Sequence, residues 1–242
     1  LIRDRIAVAV LNLKGDLLLK RDISPVSFTP EELLPEVHQE VENVLAHSAI
    51  NRDHILGVGV AISGVVDSTQ GLMVKSVNLG WENVPISEKL GGMLSLPVYV
   101  ANDANAAALA ELWFGQCRDC DSFLYLKTDT GAGVGLVLRR QLVSGHRWLA
   151  GEIGHLPVVP GGRRCRCGQQ GCLEAYVYLS DVLERYQAAA GRTITKAEFM
   201  ELVKSEDAAA CELAAETAQA ISQAVSSWGI LLDLDKIVIG GI

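Results

Sequence analysis

The chain has 242 residues, of which 49% are hydrophobic and 21% are charged, a composition typical of a folded globular protein rather than a disordered segment. Its net charge of -8 at pH 7 argues against direct binding of a nucleic-acid backbone, which requires clustered Lys and Arg side chains. No apolar run reaches the roughly 18 residues of a membrane span and no signal peptide is visible, so we expect a soluble, cytoplasmic protein without a membrane partner.

Strand and helix patterns alternate through the first half of the chain. The apolar run 6–13, a turn at 14–16 and the run 17–23 predict a β-hairpin. Thr29 and Pro30 are typical of a helix start, and apolar residues recur at helical spacing from Leu33 to Leu45. The pattern then predicts a strand over 55–64, a loop over 77–85, a short helix over 87–96 and a strand over 97–103.

Asn102 and Asp103 lie where that strand ends and a helix rich in small residues, over 104–115, begins. Open α/β sheets bind ligands at this position. A carboxylate there can accept a proton from a hydroxyl group, so Asp103 is a candidate general base. The alternative is that its carboxylate caps the helix that follows.

A glycine-rich motif, TGAGVG at 130–135, follows a predicted strand over 122–129 and turns back into a second predicted strand within 136–145. Glycines let backbone N–H groups approach anionic oxygens, which makes Thr130, Gly131 and Gly133 a candidate phosphate loop. The alternative is a glycine-rich hairpin turn, because no GKS or GKT sequence follows and the next segment has a strand pattern.

Four potential metal ligands, His155, Cys165, Cys167 and Cys172, lie within the run HLPVVPGGRRCRCGQQGC, and two carboxylates, Glu152 and Glu174, flank it. Zinc is usually held by four thiolate and imidazole ligands, and short spacings let one loop supply them with little closure entropy. The glycines at 161, 162, 168 and 171 suit a chain that folds tightly around an ion. A structural zinc is the first hypothesis; the alternatives are a reduced loop without metal, or a disulfide, which is rare in cytosolic chains.

The remaining cysteines are Cys117, Cys120 and Cys211. The first two form a CxxC with no second pair nearby, which favours surface or core thiols over a metal or redox pair. Beyond them, the pattern over 205–234 predicts one long amphipathic helix before a last strand at 236–242.

The order of elements predicts two α/β lobes around a cleft, an N-terminal lobe over 1–108 and a C-terminal lobe with the zinc knuckle over 109–242. The chain starts at Leu1 close to a strand and stops directly after another strand, so we expect a fragment cut at both ends.

Several motifs occur in a characteristic order: SGVVD at 63–67, AND followed by ANAAALAE, TDTGAGVG, AGEIGH, CRCGQQGCLE and a final IVIGG. Together they resemble the ROK family of repressors, open reading frames and sugar kinases. The resemblance implies a two-lobed, actin-like and hexokinase-like (ribonuclease H-like) α/β fold. It also implies a zinc ion held by His155, Cys165, Cys167 and Cys172, and a hexose site in the cleft.

Carried over position by position, the resemblance implies that Asn102 and Asp103 bind sugar hydroxyls, with Asp103 the catalytic base in kinase members. Glu152, His155 and Glu174 would hold hydroxyls around the anomeric end, and Gly64 would line the same pocket. His155 can give one ring nitrogen to zinc and turn the other toward the sugar, so that the metal fixes its orientation.

Two departures from the kinase pattern favour a regulator. Kinase members carry a DxGGT loop after the first strand, and Ile2, Arg3 and Asp4 stand where its small residues belong. Asp129 stands where the kinases usually have glycine, and its carboxylate would repel a triphosphate.

We therefore interpret the chain as the effector domain of a ROK-type transcriptional regulator of the NagC/XylR type. It would sense a sugar or sugar phosphate, bind DNA only through an upstream winged helix-turn-helix domain outside this sequence, and form a homodimer or homotetramer. The alternative is an ATP-dependent hexose or N-acetylhexosamine kinase, which the intact NDANAAALAE sequence favours. A third possibility is a structural interaction module with an empty cleft.

Overall fold

A computed structural model describes residues 5–128 and 131–241, and within these residues the internal contacts divide the chain into two units. The first unit contains the described residues up to Ala106, together with 113–115 and 145–149. The second contains 107–112 and the described parts of 116–144 and 150–241. The predicted lobe boundary at 108 stays a prediction.

The first unit alternates strands with helices, as the sequence pattern indicates. Its strands are β1 (Ile6–Leu11), β2 (Leu17–Ile23), β3 (Val58–Ile62), β4 (Val65–Asp67), β5 (Leu72–Ser76), β6 (Trp81–Pro85) and β7 (Val98–Asn102). Its helices are α1 (Pro30–His47) and α2 (Ile86–Leu94), with a 3-10 turn at Arg52–His54, and α3 (Asp103–Trp113) begins in this unit.

The predicted opening hairpin is confirmed, because β1 and β2 pair antiparallel from Ile6 opposite Ile23 to Leu11 opposite Leu17. The predicted helix start at Thr29 and Pro30 is also confirmed. The apolar residues of α1 repeat every three or four positions and are buried against the same core as Ile6. Two glutamates in its first turn suit the positive end of the helix dipole.

A parallel pair of strands positions the first group of candidate site residues. β3 and β7 run side by side, with Val58 opposite Val98 and Ile62 opposite Asn102. The carboxyl ends of parallel strands meet at the same edge of a sheet, so the turn that follows β3 lies beside the end of β7. This register places Gly64 next to Asn102.

The predicted loop over 77–85 is wrong in its second half. Trp81–Pro85 forms β6, which pairs antiparallel with β5, while β5 pairs with β4. The Gly, Asn and Pro residues in this stretch favoured a loop, but tertiary packing overrides that preference. Trp81 is 2% exposed, and its indole N–H donates to the carbonyl oxygen of Phe28 at 2.6 Å.

The second unit contains a four-stranded sheet and most of the helices. Its strands are β8 (Phe123–Thr128), β9 (Ala132–Leu138), β10 (Gln141–Leu142) and β11 (Lys236–Gly240), in the order β10-β9-β8-β11. β8 and β9 form an antiparallel hairpin, and β11 pairs parallel with β8. The helices are α4 (Glu174–Val177), α5 (Leu179–Ala190), α6 (Lys196–Lys204) and α7 (Ala208–Leu232), and Ile153–His155 is a 3-10 turn.

The long carboxyl-terminal helix is confirmed as α7, which spans 25 residues. Asp207 caps its start by accepting from the backbone N–H of Ala210 at 3.0 Å. Buried side chains of β8, β9 and α7 share one apolar cluster with Cys165 and Cys172. Among the residues described, none of the helices combines the length and apolar character that crossing a bilayer requires.

Candidate functional site

The four predicted metal ligands, His155, Cys165, Cys167 and Cys172, come together in the structure. Their ligand atoms all lie within 4.8 Å of one another. The Sγ atoms of Cys167 and Cys172 are 3.7 Å apart, and the Sγ of Cys165 lies 3.9 Å from Nδ1 of His155. In a tetrahedral site with metal–sulfur bonds of about 2.3 Å, neighbouring sulfurs lie roughly 3.8 Å apart. The cluster can therefore hold a metal ion with tetrahedral geometry.

The structure does not contain the predicted alternative of a disulfide, since Cys165, Cys167 and Cys172 are all free thiols. Burial, together with the other two thiols, raises the pKa of Cys172 to about 12, and burial raises the pKa of Cys165. Cys167 is exposed, and the backbone N–H of Gln169 lowers its pKa. Two buried thiols that resist ionisation as they stand would become thiolates beside a dication.

Backbone hydrogen bonds fold residues 155–172, here named the cysteine loop, around the four ligands. The N–H of Cys165 donates to Gln169 at 2.8 Å, and the N–H groups of Val158 and Val159 both donate to the carbonyl oxygen of Gly171. A Cβ at Gly171 would lie 1.8 Å from the oxygen of Val159, so this position requires glycine. These backbone contacts alone hold the cysteine loop in its folded conformation.

Glycines also fix the segment that carries Glu152 and His155. A Cβ on Gly151, whose φ is +95°, would lie 2.0 Å from the carbonyl oxygen of Val134 in β9. A Cβ on Gly154 would lie 2.4 Å from the carbonyl oxygen of Ala132. The two glycines therefore let the segment lie directly on β9, which sets the positions of Glu152 and His155.

Asn102 and Gly64 are in direct contact, as the register of β3 and β7 requires. The side-chain amide of Asn102 donates to the carbonyl oxygen of Gly64 at 3.0 Å. Its Oδ1 accepts from the backbone N–H groups of Ala104 at 2.9 Å and Asn105 at 3.1 Å, so Asn102 caps α3. A Cβ on Gly64, whose φ is +131°, would lie 2.6 Å from a carbonyl oxygen of β5.

The alternative that Asp103 caps α3 is wrong, because Asn102 occupies the cap and Asp103 is the first residue of the helix. The carboxylate of Asp103 lies 3.0 Å from the N–H of Ala104 and is half-buried. The sequence left open whether Asp103 is a general base or a helix cap, and the structure gives the cap to Asn102. Whether Asp103 acts on a ligand stays a prediction.

Glu174 begins α4, two residues after Cys172, and is half-buried. A Cβ built on Gly131 would lie 3.3 Å from Oε2 of Glu174, so Gly131, which directly precedes β9, lies close to this carboxylate. Gly133 lies in β9 opposite Lys127, which makes the glycine motif part of a hairpin. Thr130 and Asp129 lie outside the described residues, as do Ile2, Arg3 and Asp4.

Sequence reasoning missed the side chains that brace the cysteine loop. Arg163 and Arg185 both pair with the carboxylate of Glu216 in α7, and the Arg163 guanidinium lies 4.9 Å from the ring centre of Tyr176. The Tyr176 hydroxyl accepts from the backbone N–H of Arg163 at 3.0 Å. No local signal joins Arg163 to a glutamate 53 residues away.

Cys117 and Cys120 are core thiols, as the sequence favoured. Both are buried against Phe123 and Val137 in a cluster with α3 residues. Burial, together with the neighbouring Cys120, raises the pKa of Cys117 to about 11. A buried thiol that resists ionisation is a poor nucleophile.

The α/β fold, the cysteine cluster and the order of motifs agree with a comparison against protein families. The ROK family matches residues 3–242, and the chain belongs to that family.

Curated relatives include both regulators and enzymes. A xylose repressor from Caldicellulosiruptor bescii is 30% identical and aligns over 72% of this chain and 44% of its own length. A glucokinase from Halalkalibacterium halodurans is 32% identical and aligns over 79% of this chain and 62% of its own length. The chain thus spans less than two thirds of either relative.

Solved structures give the same mixture. A ROK family transcriptional regulator, homologous to the E. coli MLC protein, matches with a TM-score of 0.90 at 27% identity, over 100% of this chain and 63% of that one. A ROK family glucokinase from Streptomyces griseus, in complex with glucose and AMPPNP, matches with a TM-score of 0.88 at 25% identity, over 100% of this chain and 81% of that one. The chain has the actin-like α/β fold that these proteins share, and fold alone does not separate regulator from kinase.

Proposed function

We propose that this chain is the effector domain of a ROK-type transcriptional regulator of carbohydrate metabolism, and that it binds a sugar or sugar phosphate. The observation that carries the regulator assignment is the sequence Ile2-Arg3-Asp4, which replaces the small residues of the kinase phosphate loop. Asp129 adds a carboxylate at the glycine motif, where a triphosphate would be repelled.

The candidate sugar-binding groups of the first unit lie at the ends of its parallel strands. Asp103 would accept hydrogen bonds from sugar hydroxyls, and Asn102 would donate through its second amide hydrogen, because its Oδ1 already accepts from two backbone N–H groups. Gly64, which the Asn102 amide holds in place, would line the same pocket.

The candidate sugar-binding residues of the second unit are Glu152, His155 and Glu174. All three side chains are half-buried, which suits polar groups that bind a hydroxylated ligand without losing all contact with solvent. Ionised carboxylates accept strong hydrogen bonds from hydroxyl groups. We expect these residues to hold the anomeric end of the sugar.

We infer that the ion is zinc, because three thiols and one imidazole are the donor set that zinc favours over harder cations. Nδ1 is the ring nitrogen of His155 that faces Cys165, at 3.9 Å. Ligation through Nδ1 would leave Nε2 available for a sugar hydroxyl. When bound, zinc would supply structure and orientation rather than a reacting water, because His155, Cys165, Cys167 and Cys172 would provide the four ligands of a tetrahedral site.

Sugar binding would regulate DNA binding by changing the relative stability of two states of the regulator. A ligand shifts such an equilibrium only by its difference in affinity for the two states. The net charge of -8 agrees with DNA contacts being made by a separate domain. We also expect a cytoplasmic protein that forms a homodimer or homotetramer, which light scattering on the full-length protein would test.

The second candidate function is an ATP-dependent hexose or N-acetylhexosamine kinase with Asp103 as general base. It is supported by the half-buried carboxylate of Asp103 at the start of α3. The glucokinase relative, 32% identical over 79% of the chain, also supports it.

Calorimetry and a coupled kinase assay on the same protein would decide between these functions. The sugars are glucose, xylose, N-acetylglucosamine and N-acetylmannosamine, and glucose 6-phosphate tests for a phosphorylated effector. Binding that Glu174→Gln weakens, without ATP turnover, is the expected result. ATP-dependent phosphorylation of a sugar that disappears in Asp103→Asn would overturn the regulator assignment. Absence of binding at millimolar sugar would instead favour the third possibility, a structural interaction module.

Elemental analysis of the purified protein tests the zinc assignment. We expect about one zinc per chain in the parent and in Cys211→Ser, and a large loss in Cys165→Ser. Cys211 is the matched control because it is a half-buried cysteine outside the cluster. A parent protein without zinc would refute the assignment.

A further inference from the structure

The three cysteines of the metal cluster differ sharply in their access to solvent. Cys165 is 4% exposed and Cys172 is fully buried, whereas Cys167 is exposed. Gly168, Gln169 and Gln170, which follow Cys167, are also exposed. A small oxidant in solution therefore reaches the sulfur of Cys167 before those of the other two ligands.

The exposed sulfur has a partner at close range. The Sγ atoms of Cys167 and Cys172 are 3.7 Å apart. A disulfide bond is about 2.05 Å long, so the two sulfurs need to approach by only roughly 1.7 Å.

The two ends of this pair differ in how firmly they are held. The backbone before Cys172 is fixed, because Gly171 packs against the carbonyl oxygen of Val159 with no room for a side chain. The backbone after Cys167 is open, since a Cβ on Gly168 would have no atom within 4 Å. Cys167 can therefore move toward Cys172 while the buried half of the loop stays in place.

We propose that Cys167 is an oxidation site for peroxides and that its reaction releases the metal by forming a Cys167–Cys172 disulfide. The Cys167 thiolate attacks one oxygen of hydrogen peroxide, which breaks the O–O bond and gives a sulfenic acid and hydroxide. The Cys172 thiolate then attacks the sulfenic sulfur, forms the S–S bond and expels a second hydroxide. One peroxide is reduced to two hydroxides, which take up protons to form water, and two thiolates are oxidised.

The disulfide removes two of the four ligands, and the ion leaves the two that remain, Cys165 and His155. The inference rests on the zinc assignment made above. It adds a consequence for the ligand site, because loss of the ion frees His155 and disturbs Glu174, two residues beyond Cys172. Peroxide would then weaken sugar binding by about tenfold or more, the effect typical of losing groups that orient a site.

The test uses the zinc-loaded chain titrated with hydrogen peroxide from below to above one equivalent. A chromophoric chelator measures the zinc released, and mass spectrometry of alkylated peptides identifies the oxidised cysteines. We expect one zinc released per peroxide consumed, a disulfide joining Cys167 and Cys172, and recovery after treatment with a thiol reductant and zinc. Cys211→Ser, which removes a half-buried cysteine outside the cluster, should behave as the parent.

Cys167→Asp keeps a metal ligand that peroxide does not oxidise, and it should release zinc much more slowly. If this variant does not retain zinc, the peptide map of the parent decides. Oxidation that begins at Cys165 or Cys211, or zinc retained after Cys167 is oxidised, would overturn the inference while leaving the zinc assignment intact. A purified chain without zinc would instead refute the zinc assignment, and this inference with it.

Discussion

Replacing Gly151 by alanine tests whether backbone contact with β9 sets the position of Glu152 and His155. Gly151 has a φ of +95°, and a Cβ there would lie 2.0 Å from the carbonyl oxygen of Val134. Its own carbonyl oxygen accepts from the Val134 N–H at 2.9 Å, so the segment cannot move away without losing that bond. The left-handed backbone costs alanine roughly 1–2 kcal/mol, and forced overpacking costs about 1–3 kcal/mol more.

Gly168 offers a matched control. Its φ is also +95°, but a Cβ there would have no atom within 4 Å. Gly168→Ala is therefore destabilised only by its left-handed backbone conformation. Urea unfolding of both variants should show Gly151→Ala to be less stable than Gly168→Ala by roughly 1–3 kcal/mol. The sugar binding proposed for this chain should weaken in Gly151→Ala, because Glu152 and His155 would shift with the segment. Equal losses in the two variants would refute the assignment of close backbone packing.

Three further substitutions probe single contacts. Asn102→Ser keeps an acceptor for the cap of α3 and loses only the donor to Gly64, whereas Asn102→Ala loses both. In urea unfolding, Asn102→Ala should be less stable than Asn102→Ser by ~1 kcal/mol. Equal stabilities of the two variants would contradict the capping role. Glu216→Gln leaves two partly exposed arginines without a carboxylate and should lower the free energy of unfolding by about 1 kcal/mol. Glu212→Gln, at an exposed position one turn earlier in the helix, is the control and should change stability little. Equal shifts in melting temperature for the two variants would contradict the ion-pair network. Backbone N–H groups lower the pKa of Asp235, so the carboxylate stabilises the fold above its unfolded-state pKa, and this stabilisation is lost as pH falls through the lower folded-state pKa. Asp235→Asn should therefore be less stable than the parent near neutral pH and equally stable in acid. A difference in unfolding free energy that stays constant with pH would contradict this.

The cysteine cluster could be predicted from the sequence because its ligands are close along the chain. His155 and Cys172 are only 17 residues apart, and turn glycines between them restrict how the loop can fold. The short spacing of the four ligands along the chain was therefore enough to predict that they come together. The pairing of Arg163 with Glu216 had no such signal, since it depends on how α7 packs in the folded unit.

Polar side chains at an element boundary were harder to assign. The sequence placed Asn102 and Asp103 at the end of a strand, which is confirmed, but both residue types are good helix caps. Only the positions of the backbone N–H groups showed that Asn102 is the cap. Similarly, Trp81 lies in a strand that pairs with β5, and its indole N–H donates to the carbonyl oxygen of Phe28, contacts between distant residues that composition does not reveal.

The parallel pairing of β11 with β8 has a consequence for the order of folding. Phe123 lies opposite Lys236, so the sheet of the second unit gains its last strand only after every helix of that unit has been synthesised. Closing so long a segment is slow, because its entropy is lost before the contacts form. The cysteine loop closes over a short distance and can fold much earlier. Until β11 has been synthesised, the edge of β8 with which it pairs stays unpaired, and an unpaired strand edge favours aggregation.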